Sequence, residues 1–154
     1  MTDLKLIALD AEDIDVLSAH LQDAVLKVGE MAFLKRERRF VAMLNRFDWS
    51  RAIGAEGRPG KGRKPFQRRR SALRFERVIG ARTQGLDLSR KDEVLELLAV
   101  RFEPAAQGDP SGAFMLHFAG GGAIQIDVEC VEAELRDLGA AWATKAKPEH
   151  KLDD

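Results

Sequence analysis

The sequence predicts an α+β protein: mostly antiparallel sheet or barrel of about seven strands, one helix after the first strand, and a short C-terminal helix. Short runs of alternating apolar residues recur along the chain, glycine- and proline-rich turns separate them, and helical spacing of apolar residues occurs near the two ends. With 154 residues and 45% apolar content, the chain can bury the core of one domain. We expect a domain over 1–142, a flexible basic loop at 50–70 and a polar tail at 143–154.

The first two predicted elements are a strand over 4–9 and a helix over about 11–24. Asp10 stands at the N-cap position, where a carboxylate accepts hydrogen bonds from the first free N–H groups of a helix. Apolar residues then recur at spacings of three and four and form one buried stripe. They are Ile14, Leu17, Leu21 and Ala24.

The next two runs, 25–35 and 40–49, are rich in residues that favour strands. The charged segment 36–39 between them predicts a hairpin turn. Both faces of the second run are apolar, which is typical of a central strand rather than an edge.

Residues 50–67 contain four glycines and two prolines with almost no apolar periodicity, which predicts a long loop. A strand over 68–82 follows, with Leu73, Phe75 and Ile79 facing inward by alternation. Arg77 falls on the same inward face and weakens the pattern. Gly80 indicates a bulge near the end of the run.

The run 94–103 fits two structures. Leu95, Leu98 and Phe102 form a helical stripe, whereas Leu98, Val100 and Phe102 form a strand face. The neighbouring strands and the following proline favour the strand.

The last predicted unit is a hairpin followed by a short helix. Alternating apolar residues over 114–118 and 124–128 flank three glycines, which accept the positive φ of a tight turn. Val131, Leu135 and Leu138 are then spaced as on a helix, which the glycine at 139 would end.

Several features indicate a cytoplasmic protein. The single cysteine excludes an internal disulfide and fits a reducing compartment. The first twenty residues contain four aspartates and a glutamate and lack an apolar core, so no signal peptide is expected. No apolar run approaches the roughly 18 residues that a membrane span requires.

The motifs of common catalytic and metal sites are missing from the sequence. His20, His117 and His150 lie in three different settings, so we expect no metal site and no cofactor. Strand alternation places His117 and Cys130 on opposite faces, which argues against a cysteine–histidine pair. We therefore expect a protein that is not an enzyme.

Charge is distributed unevenly. Residues 35–82 hold sixteen Lys/Arg and four Asp/Glu, although the formal net charge of the chain is zero. The candidate contacts for an anion or a nucleic acid are Arg58, Lys61, Arg63, Lys64, Arg68, Arg69 and Arg70. We expect strand-borne Arg46, Arg74 and Arg82 to meet acidic residues of the first helix.

Two functions follow from this charge pattern. The opposite charges of the central segment and the remainder favour a protein-interaction module, which binds a partner protein or a second copy of itself. Binding of an anion or nucleic acid through 58–70 is the alternative. The overall pI near 6.9 and the scarcity of aromatic residues argue against it.

Four phrases of the sequence resemble an uncharacterised family of short alphaproteobacterial proteins classed as a domain of unknown function. They are LNRFDW (44–49), RRRSALRFERV (68–78), LLAVRFE (97–103) and FMLHFAGGGAIQIDVECVEAELRDLGAAW (114–142). The resemblance implies a free-standing cytoplasmic domain with no assigned activity, cofactor or catalytic residue. The strands and terminal helix also look like a pleckstrin-homology-type barrel, in which the basic loop would be a phosphoinositide-like anion site.

Overall fold

The computed structural model describes residues 3–48 and 68–139, which form ten strands, one α-helix and one 3-10 turn. The elements are β1 (Lys5–Ala8), α1 (Ala11–Leu21), β2 (Ala24–Lys27), the 3-10 turn (Val28–Glu30), β3 (Met31–Leu34), β4 (Arg39–Phe47), β5 (Arg68–Phe75), β6 (Val78–Gln84), β7 (Val94–Pro104), β8 (Gly112–Phe118), β9 (Ala123–Val128) and β10 (Ala133–Asp137).

All ten strands belong to one antiparallel sheet. Its order is β1-β10-β5-β4-β2-β7-β8-β9-β6, and β3 pairs with β4 outside this path. The sheet is open rather than a closed barrel, but it curls strongly. The ring centroids of Phe75 in β5 and Phe114 in β8 are 4.6 Å apart, although β4, β2 and β7 separate these strands in the sheet.

The core lies on the concave face of this curled sheet. A row of tilted phenylalanine rings, Phe40, Phe75, Phe114 and Phe102, crosses it with centroid separations of 6.4, 4.6 and 5.2 Å. Helix α1 buries its apolar stripe against β7, β1 and β4. The hydroxyl of Ser18 in α1 accepts a hydrogen bond from the Val100 N–H at 3.0 Å, where β7 extends beyond its partner β2.

The prediction of seven strands is wrong because two predicted strands are each divided and a further strand, β10, replaces the predicted C-terminal helix. The run 25–35 forms β2 and β3, with the 3-10 turn between them. The run 68–82 forms β5 and β6 and breaks at Arg77, whose φ is +58°. Because this left-handed conformation does not continue a strand, Arg77 leaves the inward face and is exposed.

The predicted C-terminal helix is also wrong, since residues 133–137 form β10. Alternation along β10 places Ala133, Leu135 and Asp137 on one face, although Glu134 is also buried. Leu135 therefore fits a period of two as well as the helical spacing of Val131, Leu135 and Leu138. Pairing with β1 and β5 on both sides stabilises the strand. In the described part of the chain the one α-helix follows β1, and the pleckstrin-homology-like barrel is therefore not the fold.

Local features of the predicted elements are present in the structure. The Asp10 carboxylate caps α1 by accepting a hydrogen bond from the Asp13 N–H at 2.8 Å. Gly120 and Gly121 turn the β8–β9 hairpin with φ of +92° and +99°, and the ambiguous run is strand β7. The pairing of β6 with β9 shifts register between Val78 and Gly80.

The predicted flexible loop lies outside the described residues except for 68–70, and so does the predicted tail at 143–154. Over the described ranges, no helix has the length and apolar character that crossing a membrane requires.

Candidate functional site

The curled sheet brings two free strand edges towards each other. The Leu138 N–H donates to the Arg70 carbonyl, which fixes the alternation of hydrogen bonds across β5 and β4. When this alternation is followed through the β4–β3 pairing, the backbone groups of Met31 and Phe33 point away from β4. The Met31 N–H already donates to the Val28 carbonyl, so this side of β3 offers the Met31 carbonyl and both backbone groups of Phe33.

Strand β6 offers the second edge. The Glu129 N–H donates to the Arg77 carbonyl, so alternate residues of β9 bond to β6. By this alternation the backbone groups of Ala81 and Thr83 point away from β9. In the described part of the chain, no ladder of hydrogen bonds joins β6 to β3.

The space between these edges is an apolar pocket of about 270 Å³, here called the β3–β6 window. The lining residues are Val28, Met31, Ala32, Phe33, Phe40, Ala81, Thr83, Leu88, Lys91 and Ile124. The window is closed at one end by a hydrogen bond from the Val78 N–H to the Arg38 carbonyl (2.9 Å). At the other end the Gly29 N–H donates to the Lys91 carbonyl at 2.9 Å.

The window combines three chemical properties. Its floor includes the buried side chains of Val28, Phe40 and Ile124. Its two sides carry backbone donors and acceptors, and Lys91 is the one charged residue in the lining. The arrangement fits an extended chain that contributes an apolar side chain and a nearby carboxylate.

The predicted basic contacts do not form one surface where the structure describes them. Arg58, Lys61, Arg63 and Lys64 lie outside the described residues. The remaining three are consecutive in β5, so Arg68 and Arg70 share one face and Arg69 points to the other.

These three arginines have different surroundings. The Arg68 guanidinium lies over the ring of Phe47, 4.4 Å from its centroid. Arg69 faces inward, with Nε 3.5 Å from a carboxylate oxygen of Asp48. Arg70 points outward and donates to the Glu30 carboxylate at 2.6 Å. Arg69 and Arg70 are thus already bound to carboxylates of the same chain.

A buried ion pair lies at the same end of the sheet. Arg46 in β4 donates through Nε and Nη2 to the two oxygens of Asp137 in β10, at 2.8 and 2.7 Å. Ser71 donates to the same carboxylate at 2.7 Å, and the Leu4 N–H donates at 2.9 Å. This arrangement joins β4, β5, β10 and the segment before β1, which indicates a structural role.

The buried ion pair affects the pKa values of Asp137 and His20. Burial alone would raise the pKa of Asp137, but hydrogen bonds from Arg46, Leu4 and Ser71 and the charge of Arg46 hold it below its ordinary value. At the end of α1, burial and then the positive charge of Arg46 lower the pKa of His20, while Asp137 and Asp48 oppose that shift. His20 is therefore neutral at pH 7.

The strand arginines do not pair with the acidic first helix. Arg46 binds Asp137, while Arg74 bridges Glu76 and Glu134 on the outer face. Arg82 approaches Asp127 of β9 at 3.7 Å. Each partner lies on a strand or beside one, because sheet pairing brings these residues closer than the helix does.

The residues considered for catalysis lie apart from these features. His117 is exposed on β8, and Cys130 is partly buried after β9. Within the described ranges, no cluster of three or more His, Cys, Asp or Glu side chains could hold a metal ion.

Sequence reasoning missed both the window and the buried ion pair. Arg46 could have been found, because it shares the inward face of β4 with Phe40, Ala42 and Leu44. No local sequence pattern of this kind indicates the window, because it forms where β3 and β6, which are distant in the chain, come close together.

The described residues form one curled antiparallel sheet, with the apolar β3–β6 window between two strand edges. The chain belongs to the family described as Protein of unknown function (DUF2948), whose family model matches residues 4–150. No curated protein and no solved structure has significant similarity to it.

Proposed function

We propose that this protein is a non-catalytic interaction module that binds an extended segment of a partner protein at the β3–β6 window. The observation that supports the proposal is the apolar pocket of about 270 Å³ between two strand edges that do not pair with each other. An extended segment gains affinity from backbone hydrogen bonds to a free edge and specificity from a pocket for its side chain.

The lining of the window defines the chemistry of the bound segment. A large aliphatic or aromatic side chain would cover Phe40 and Ile124, which form part of the floor. Lys91 would attract an acidic residue beside that side chain. We therefore expect a segment with one apolar anchor and a neighbouring aspartate or glutamate.

Selection from a random peptide library displayed on phage tests this proposal. We expect the wild-type protein to enrich peptides with the apolar and acidic pattern. Ala32→Glu places a carboxylate on the exposed rim of the window, where it repels the acidic residue of the peptides, and should weaken their binding at least tenfold. Binding is measured by fluorescence anisotropy.

Ala19→Glu is the matched control, because Ala19 is an exposed alanine on α1 and does not line the window. It should bind the selected peptides as the wild type does. Enrichment of no common pattern, or equal binding by the Ala32→Glu protein, would overturn the proposal.

Binding of an anion or nucleic acid through 58–70 is the second candidate, supported by the excess of basic residues there. The test replaces Arg58, Lys61, Arg63 and Lys64 with serine and retains the β5 arginines, two of which bind carboxylates of this chain. Retention on heparin and on RNA is measured across a salt series. If the wild type shows no steeper salt dependence than the serine variant, this candidate is excluded.

A further inference from the structure

The free edge of β1 is a second surface with unpaired strand groups. The Asp137 N–H donates to the Leu4 carbonyl at 2.8 Å, so alternate residues of β1 bond to β10. The backbone groups of Lys5 and Ile7 therefore point away from the sheet. Strand β1 is one end of the sheet order, with no further strand beside it in the described part of the chain.

Two large apolar side chains accompany this edge. Ile7 is 54% exposed and Leu9 is 63% exposed. Together with Lys5 and residues of β5 and β10, they line a surface groove of about 300 Å³. A flat, exposed edge with apolar side chains favours pairing with another strand.

We propose that the free edge of β1 is a self-association surface, where two copies of this chain pair their β1 strands antiparallel about a twofold axis. With Leu6 on the axis, Lys5 of each copy lies opposite Ile7 of the other. Both of these pairs can exchange two backbone hydrogen bonds, because Lys5 and Ile7 are the residues whose groups point outward.

The charges along the edge fit a second copy of this chain. On the outer face, Lys5 lies beside Arg136, whereas Ile7 lies beside Glu134. Each copy thus has a basic end at Lys5 and Arg136. The other end, called the acidic end, carries the Glu134 carboxylate, which also pairs with Arg74 and Arg136 of its own copy. An antiparallel arrangement places the basic end of one copy against the acidic end of the other.

The Lys5 side chain has two roles in this arrangement. Its aliphatic part covers Ile7 of the second copy, and its ammonium group reaches towards Glu134 of that copy. A parallel arrangement would instead place the like charges together. The surface is therefore complementary to itself in one orientation, as a twofold interface requires.

Sedimentation equilibrium over a dilution series of the full chain tests the proposal. We expect the mass to approach twice 17.1 kDa at high concentration. Ile7→Lys should weaken the dimer at least tenfold, because it places a second cation beside Lys5. Lys5→Glu should also weaken it, since the new carboxylate faces Glu134 of the second copy.

Val16→Lys is the matched control, because Val16 is 50% exposed on α1. It should dimerise like the wild type, and so should Ala32→Glu, since the window lies on other strands. Circular dichroism verifies that each variant is folded. A wild-type protein that remains monomeric at all concentrations, or a dimer that Ile7→Lys and Lys5→Glu leave unchanged, would overturn the inference.

Discussion

At the residue scale, the buried pair of Arg46 and Asp137 is the contact from which we expect a large effect on stability. Arg46 is 4% exposed, and the Asp137 carboxylate accepts hydrogen bonds from two side chains and one backbone N–H. Two buried charges are tolerated because each satisfies the other. Removing one leaves the remaining charge without compensation in a medium that solvates it poorly.

We expect Asp137→Asn to destabilise the protein by about 3–5 kcal/mol, because the Arg46 charge stays buried without a counter-ion. Urea unfolding monitored by circular dichroism measures the change. Asp127→Asn is the control, since Asp127 pairs with exposed Arg82 at 3.7 Å and should lose only about 0–1 kcal/mol. Equal losses in the two variants would show that the buried pair contributes little.

The same carboxylate makes stability depend on acidity. Because the pKa of Asp137 in the folded protein lies below 3.8, its contribution is complete above that value. The contribution is lost as the pH falls through the lower pKa of the folded state. The free energy of unfolding of Asp137→Asn should therefore depend less steeply on pH below 3.8 than that of the wild type. Urea titrations across the acid range measure this dependence.

His20 should titrate below its ordinary pKa of 6.5, because its burial and the charge of Arg46 disfavour the imidazolium form. The unfolded chain then binds a proton more readily than the folded protein does. Stability should fall as the pH decreases from 6.5 to the pKa of the folded state, and His20→Gln should remove that component. Proton NMR of the imidazole ring measures this pKa, and a value at or above 6.5 would contradict the assignment.

At the scale of the elements, the β7–β8 hairpin depends on one glycine. A Cβ atom on Gly112 would lie 2.3 Å from the Glu103 carbonyl and 2.9 Å from Cα of Pro104, both backbone atoms that cannot rotate away. Gly80 is a glycine of β6 at which a Cβ would meet no atom within 4 Å. Comparing the two positions therefore shows whether a steric clash, rather than the loss of a glycine as such, lowers the stability.

Gly112→Ala should destabilise the protein by about 1–3 kcal/mol, because the hairpin backbone must shift to admit the methyl group. Gly80→Ala is the matched control and should be neutral or stabilise by about 0.4–1 kcal/mol through the unfolded chain. Thermal unfolding of both variants compares them directly. A Gly112→Ala protein as stable as the wild type would mean that the hairpin accommodates the added atom.

Much of the element pattern could be predicted from local sequence. Capping by Asp10 and the helical stripe identified α1, and the glycine turn identified the β8–β9 hairpin, because local contacts determine these elements. The segment 133–137 could not be assigned in this way. Its apolar spacing fits a helix and a strand alike, and pairing with two distant strands selects the strand.

At the scale of the whole molecule, the contact between Phe75 and Phe114 joins strands that are far apart in the sheet. A double-mutant cycle with Phe75→Leu and Phe114→Leu measures the coupling free energy of this contact across the curled sheet. We expect a coupling free energy of about 0.5–1.5 kcal/mol in urea unfolding. A coupling near zero would mean that the two halves of the sheet are held together by other contacts.

The candidate site depends on this curl, which explains why the sequence did not indicate it. Met31 and Thr83 line the same window, but no local pattern relates them. The sequence indicated the basic segment because an excess of Lys and Arg can be counted directly along the chain. The proximity of two strand edges becomes visible only in three dimensions.

The pairing of Phe47 with Arg68 has a consequence for how this protein can change over evolution. These paired residues bracket the segment 48–67, so its two ends leave the sheet as immediate neighbours. Closing a flexible connection costs only about 0.6 kcal/mol more for each doubling of its length. A flexible insertion between these two residues would therefore add little closure free energy and leave the pairing of β4 with β5 unaltered.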